Sequence, residues 1–261
     1  MTSAVVEATE LYRFFHAGDE EVMALRGVSL VAAPGEFVAV VGPSGSGKTT
    51  LLACLAGLDD PDGGVVRVAG RVMSRRPERE KAGLRATHLG IVLQSANLVE
   101  HLTLRGNLLQ AHRLAGRREA GDDRSGPADG PDITGPGIDG PGTDGPDITG
   151  PDVTRPNTVG PDIDALLARV GLAGRARAYP AQLSGGEAVR AALAVALVNR
   201  PPVVLGDEPT AEIDRATEAQ LLELLRAEVA RGLTLVVATH SPAVADAADR
   251  VITLADGRVV A

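Results

Sequence analysis

The chain has 261 residues, 44% of them apolar, with one cysteine and a formal charge of −8. That apolar share supports a substantial core and excludes a disordered chain, and the lone Cys54, set in the apolar stretch Leu51 to Leu58, excludes an internal disulfide and reads as a buried, inert thiol. The acidic excess lies within residues 121–164, where ten Asp face only Arg124 and Arg155; the remaining 24 basic and 24 acidic residues balance, so no nucleic-acid partner is expected.

Met1 to Leu11 lacks the basic start and apolar centre of a signal peptide, and no apolar run reaches the roughly 18 residues that cross a bilayer, so a cytoplasmic location is expected. From Val28 the pattern predicts a strand, a Pro34-Gly35 turn, and a second strand over Phe37 to Val41 that is buried on both faces. Residues Gly42 to Gly47 cannot hold regular structure. Thr49 to Gly57 then reads as a helix with Leu51, Leu52 and Leu55 on its core side. Short strands are expected over Gly64 to Val72 and Leu89 to Leu93, and a helix over Leu104 to Leu114.

Between Gly130 and Pro161, prolines recur every five residues: Pro131, Pro136, Pro141, Pro146, Pro151, Pro156 and Pro161. Prolines this dense exclude helix and central strand, and few side chains there could bury anything. Residues 121–161 therefore read as a low-complexity insertion, a disordered acidic spacer, with a partner-binding segment as the alternative. Beyond it, Ile163, Leu166, Leu167 and Val170 mark a helix that Asp162 or Asp164 can cap and Gly171 can stop. Ala188 to Val198 predicts a buried helix, and Val203 to Leu205, Leu233 to Ala238 and Val251 to Leu254 predict strands of an α/β layer structure.

Three motifs carry chemistry. Gly42-Pro43-Ser44-Gly45-Ser46-Gly47-Lys48-Thr49-Thr50 lies between a strand and a helix, the context of a phosphate loop: backbone N–H groups and the helix start cradle phosphate, Lys48 reaches the β and γ oxygens, and Thr49 can hold Mg²⁺. Asp207 and Glu208 end a β-branched strand, where Asp207 can bind Mg²⁺ through water and Glu208 can polarise the water that attacks a γ-phosphorus. Leu183-Ser184-Gly185-Gly186-Glu187 opens the helix that follows; Ser184 and Glu187 fit a capping box, and Ser184 is expected to exchange that cap for the γ-phosphate when nucleotide binds.

In this order, and with Asp207-Glu208-Pro209-Thr210 and Thr239-His240, the motifs resemble the ATP-binding subunit of ABC transporters over nearly the whole chain apart from the proline array. The resemblance implies a P-loop NTPase cassette filling residues 1–261, with a RecA-like core, an antiparallel β subdomain and a helical subdomain over residues 95–183. It implies Gln94 as the glutamine that senses Mg²⁺ and γ-phosphate, His240 as the switch histidine, Asp214 as the aspartate that signals across a dimer, and Phe15 as the adenine-stacking aromatic, with Tyr12 as runner-up.

Ala17 to Leu30, and Asn97-Leu98 with His101-Leu102-Thr103, most resemble the lipoprotein-release and macrolide-export subgroup, which includes a related cell-division ATPase. ATP and Mg²⁺ are then the implied ligands. The implied partners are a second copy or a homologous subunit and a permease with four membrane helices and an extracytoplasmic domain, so the chain would sit peripherally on the inner membrane face. Export or envelope work driven by ATP hydrolysis is the implied activity.

Some positions depart from the family pattern. Ala188-Val189 replaces an arginine and glutamine, Val195 an arginine, Ala211-Glu212-Ile213 a small polar loop, Ser241 an Asp and Leu93 a Phe. None removes a group that touches phosphate, magnesium or water, so an active ATPase with an altered dimer surface is expected. The alternative is a low-turnover ATP-dependent switch acting on an envelope partner. A soluble repair or translation ATPase is disfavoured by the single ATP domain and the absence of a coiled coil and of a basic surface.

Overall fold

A computed structural model describes residues 4–17, 20–94, 97–119 and 161–260; the proline array, apart from Pro161, lies outside them, as does the tip of the first hairpin. The first two strands, β1 (Val6–Ala17) and β2 (Glu20–Ala32), pair antiparallel. Arg13 faces Leu25 whereas Phe14 faces Met23, so Ala24 is the extra residue of a bulge.

Next come β3 (Phe37–Val41), α1 (Lys48–Leu55), β4 (Gly63–Val68) and β5 (Arg71–Val72). The stretch Gly64 to Val72 is two strands and not one, because Ala69 and Gly70, at φ 47 and 74, turn the chain between them. A further helix, α2 (Glu78–His88), is absent from the sequence expectations: its one buried residue is Lys81, so no apolar stripe announces it.

Then follow β6 (Leu89–Val92), α3 (Leu104–Glu119) and α4 (Ile163–Arg169). Of the two candidate caps, Asp162 serves α4, accepting from Ala165 N at 3.0 Å, while Asp164 pairs with Arg105. The chain ends with α5 (Gly185–Leu197), β7 (Val203–Asp207), α6 (Arg215–Ala230), β8 (Thr234–Thr239), α7 (Pro242–Ala247), β9 (Arg250–Ala255) and β10 (Arg258–Val259).

The strands form two sheets, antiparallel β2-β1-β4-β5 and a six-stranded β10-β9-β3-β8-β7-β6 that is parallel except for β10. Period-two alternation explains why the central strands read as continuous apolar runs. Phe37, Val204, Leu235 and Val237 turn to one core with α3 to α7, whereas Val38, Val40, Val203, Leu205, Val236 and Ala238 turn to the other, with α1 and the antiparallel sheet. Burying each of these Val, Leu and Phe side chains stabilises by about 1.5–3 kcal/mol, so the central strands form a rigid frame. This is the α/β fold class expected from the sequence.

Cys54 lies in the second core, and burial first of all pushes its thiol up to about 12, which leaves it inert as expected. Among the described residues no helix is long and apolar enough to cross a membrane.

Candidate functional site

The loop of residues 42–47 leaves β3 and is held from two sides. An ideal Cβ on Gly42 (φ 153) would stand 2.1 Å from Leu254 O, and one on Gly47 (φ 102) would stand 2.5 Å from Ala24 O, so both positions require glycine. Ala24 is the bulged residue of β2, which turns its carbonyl toward the loop. The β9–β10 turn closes the frame: Asp256 and Gly257, both at positive φ, form a two-residue turn in which Gly257 N donates to Ser46 O (3.1 Å) and Gly257 O accepts from Arg26 N (2.7 Å).

Within this frame Lys48 is 8% exposed, and its Nζ donates to Gly42 O (2.9 Å) and Pro43 O (3.1 Å). Among the described residues no side chain caps α1, which leaves the N–H donors of its first turn uncommitted. Ser46 is 3% exposed and its Oγ has no partner among the described residues. A buried orphan hydroxyl, a helix start with free donors and an ammonium held by carbonyls together fit a phosphate chain.

The carboxyl ends of β3, β7 and β8 meet beside this loop, as binding sites of open α/β sheets do. Asp207 Oδ1 accepts from Thr49 Oγ1 at 3.3 Å, which joins the end of β7 to the first turn of α1. Burial pushes the Asp207 carboxyl above its ordinary range, with the Glu208 charge adding, while the Thr49 hydroxyl and the Lys48 charge oppose. The neighbouring Glu208 sits at φ 48, a conformation costly for a non-glycine residue, and is held by its N–H donating to Ala238 O at 2.9 Å. Its Oε2 accepts from His240 N at 3.2 Å and lies 2.9 Å from His240 Nδ1. Two adjacent carboxylates thus have different neighbours, Thr49 for one and His240 for the other.

Ser184 caps α5 as expected. Its Oγ accepts from Glu187 N at 3.3 Å, and Glu187 Oε2 accepts from Ser184 N at 2.9 Å. Arg175, which sequence reasoning missed, donates to the other Glu187 oxygen at 2.9 Å. The cap draws on a lone pair of the hydroxyl and does not by itself commit the O–H.

Gly185 abuts Glu212 and Ile213 just before α6, Gly186 abuts Thr217 in its first turn, and the cap of α6 is Asp214. Its Oδ1 accepts from Ala216 N (2.9 Å) and Thr217 N (3.0 Å), and its Oδ2 accepts from Thr217 Oγ1 (2.7 Å). The Ser184 and Asp214 groups therefore form one patch. Among the described residues neither makes a hydrogen bond or ion pair to the phosphate loop.

A second missed contact joins that patch to the histidine. Ser241 Oγ donates to Glu218 Oε1 of α6 at 2.6 Å, so the Asp-to-Ser departure is matched by a nearby carboxylate. Gln94 follows β6, is exposed, and makes no hydrogen bond to another described residue. Phe15 is 40% exposed on β1, opposite Val22 and so two residues along β2 from Ala24, which meets Gly47. Tyr12 packs its ring where Gly27 and Gly63 leave room, with an ideal Cβ on either at 2.9–3.1 Å, which ties it to the sheet surface.

A family model described as ABC transporter matches residues 25–211. The macrolide export ATP-binding/permease protein MacB of Hahella chejuensis is 33% identical over 261 residues, all of this chain and 34% of that protein. MacB 1 of Aeromonas hydrophila subsp. hydrophila is 37% identical over 261 residues, again all of this chain and 35% of that protein. The chain spans about a third of the length of the curated relatives it matches. Among solved structures, dimeric MJ0796, a bacterial ABC transporter cassette, aligns with a TM-score of 0.76 at 28% identity, covering 98% of this chain and 97% of that one. A post-hydrolysis state of that cassette, bound to ADP and Pi, aligns at 0.75. With the family model spanning most of the described core and the phosphate loop, paired carboxylates and histidine held at one sheet edge, the chain belongs to the ABC transporter family and is an ATP-binding, ATP-hydrolysing cassette.

Proposed function

We propose that two copies of this chain, or one copy and a homologous subunit, close on two ATP molecules and drive a membrane permease, on the same polypeptide or a separate one, in export or envelope work. The observation that carries this reading is the convergence of Thr49, Asp207, Glu208 and His240 at the carboxyl edge of the parallel sheet, beside the phosphate loop. In this reading the chain lies on the cytoplasmic face of the membrane.

Residues 43–50 hold the phosphates: Lys48 turns its ammonium from the Gly42 and Pro43 carbonyls to the β and γ oxygens, and Ser46, Thr49 and Thr50 add donors. Phe15 stacks on adenine. Thr49 and Asp207 offer hard oxygen donors 3.3 Å apart, which fits Mg²⁺, with Gln94 as the third candidate ligand. Mg²⁺, when bound, supplies charge neutralisation across the phosphates. Glu208 orients the attacking water and takes its proton, and His240 holds the carboxylate and the γ-phosphate in register.

The partner copy supplies the remaining donors: Ser184 through its O–H, and the N–H groups of Gly185 and Gly186 at the start of α5. Asp214, packed against that helix start through Thr217, carries closure between the copies, and the helices between residues 95 and 183 pass it to the permease. The relatives named as ATP-binding/permease proteins support a permease partner; its four membrane helices and extracytoplasmic domain are what the subgroup resemblance implies. Sedimentation of Glu208→Gln with MgATP tests closure. An ATP-dependent dimer is expected, and a monomer at saturating ATP would overturn the reading.

A further inference from the structure

One face of the exposed Phe15 ring is already occupied. The guanidinium carbon of Arg13 stands 4.7 Å from the ring centroid, so the cation covers one face of a ring that is 40% exposed. The guanidinium is itself anchored. Its Nε and Nη2 donate to the two oxygens of Asp59 at 2.8 Å each, and its Nη1 reaches both oxygens of Asp62 at 3.1 and 3.3 Å. Asp62 in turn accepts from Phe14 N at 2.8 Å and donates its own N–H to Tyr12 O at 2.9 Å.

Asp59 and Asp62 belong to the turn that leaves α1, the helix whose first residue is Lys48, and Asp59 N is held by Ala53 O at 3.2 Å. The aromatic is therefore tied twice to the phosphate-binding unit. On one side β2 carries Val22 opposite Phe15 and Ala24 against Gly47; on the other, Arg13 links the ring to the far end of α1. A free aromatic on a half-exposed strand would have its rotamer fixed only when ligand arrives, and that ordering weakens binding. A bidentate Arg holds one geometry, which a flexible ammonium would not.

We propose that Arg13, locked by Asp59 and Asp62, is the positioning residue of the nucleobase subsite: it presents the opposite face of Phe15 at a fixed distance from the phosphate loop, so that the base completes a guanidinium–phenyl–purine stack. This rests on the reading of Phe15 as the base platform. The ligand moiety concerned is the purine, not the triphosphate.

The test measures binding of MgATP and of inorganic tripolyphosphate to the full chain, with steady-state hydrolysis, for Phe15→Ala, Arg13→Ala and Arg13→Lys. Arg13→Ala should weaken MgATP binding and raise KM roughly three- to tenfold with kcat unchanged, and should leave tripolyphosphate affinity unchanged. Arg13→Lys should recover only part of the loss. If Phe15→Ala leaves MgATP binding intact, the platform reading falls and takes the clamp with it. If Phe15→Ala weakens MgATP but Arg13→Ala does not, or if Arg13→Ala weakens tripolyphosphate equally, the clamp alone is overturned. Should Arg13→Ala fail to fold, Arg13→Lys decides by the same comparison: unchanged MgATP affinity overturns the clamp.

Discussion

Replacing Gly186 by alanine tests how the starts of α5 and α6 are locked together. The new Cβ would stand 2.2 Å from Thr217 Cγ2, far inside contact distance. Thr217 cannot swing that methyl away freely, because its Oγ1 donates to Asp214 Oδ2 at 2.7 Å and rotation would break that bond. Overpacking of this kind destabilises by about 1–3 kcal/mol, whereas Gly to Ala in a helix favours folding by up to about 1 kcal/mol. The clash wins, and Gly186→Ala should lose roughly 1–2 kcal/mol. Thr217→Ser removes the methyl and keeps the hydroxyl, so in that background Gly186→Ala should be neutral or stabilising. Urea unfolding of the four proteins without nucleotide, followed by far-UV circular dichroism, reads the coupling directly. Equal effects of Gly186→Ala in both backgrounds would refute the lock.

Three further outcomes follow from the same geometry. Ser184→Ala removes the acceptor of Glu187 N and should lower stability by about 1 kcal/mol in the same urea assay; an unchanged midpoint would remove the capping box from the account. Burial holds the Asp207 carboxyl above its ordinary range, so its charge destabilises the fold increasingly as pH rises through that value. Asp207→Asn should therefore raise the melting temperature at pH 7 and not at pH 3, while abolishing Mg²⁺-dependent ATP affinity; a lower melting temperature at pH 7 would contradict the burial argument. Asp249 has the opposite sign: the Arg226 guanidinium, then Phe37 N–H, hold its carboxyl below the ordinary range. Its stabilisation is full above the unfolded value of about 4 and is lost as pH falls through the folded one, so Asp249→Asn should flatten the acid limb of thermal stability below pH 4.

Most of the site was legible in the sequence because its parts are local. Residues 42–49 lie in one strand–loop–helix unit, Ser184 and Glu187 in one helix turn, and Val203 to Asp207 in one strand, so spacing alone exposes them. The frame around them was not legible. Ala24, Leu254 and Gly257 enclose the phosphate loop from strands that only the fold brings near, and Arg13 finds its carboxylates 46 and 49 residues away. The helix Glu78–His88 escaped because it buries Lys81 and not an apolar stripe. Asp214, an N-cap residue type ahead of α6, carried a readable capping signal that went unused, as did the Asp256-Gly257 pair between two apolar runs.

Release of inorganic phosphate from MgATP by the purified chain and by Glu208→Gln, each assayed alone and with the proposed permease, bears most directly on the central claim. The account predicts magnesium-dependent turnover by the native chain and a loss of about 100- to 10,000-fold in kcat for Glu208→Gln, with ATP binding retained. Undiminished turnover by Glu208→Gln, or none by the native chain under either condition, would contradict it.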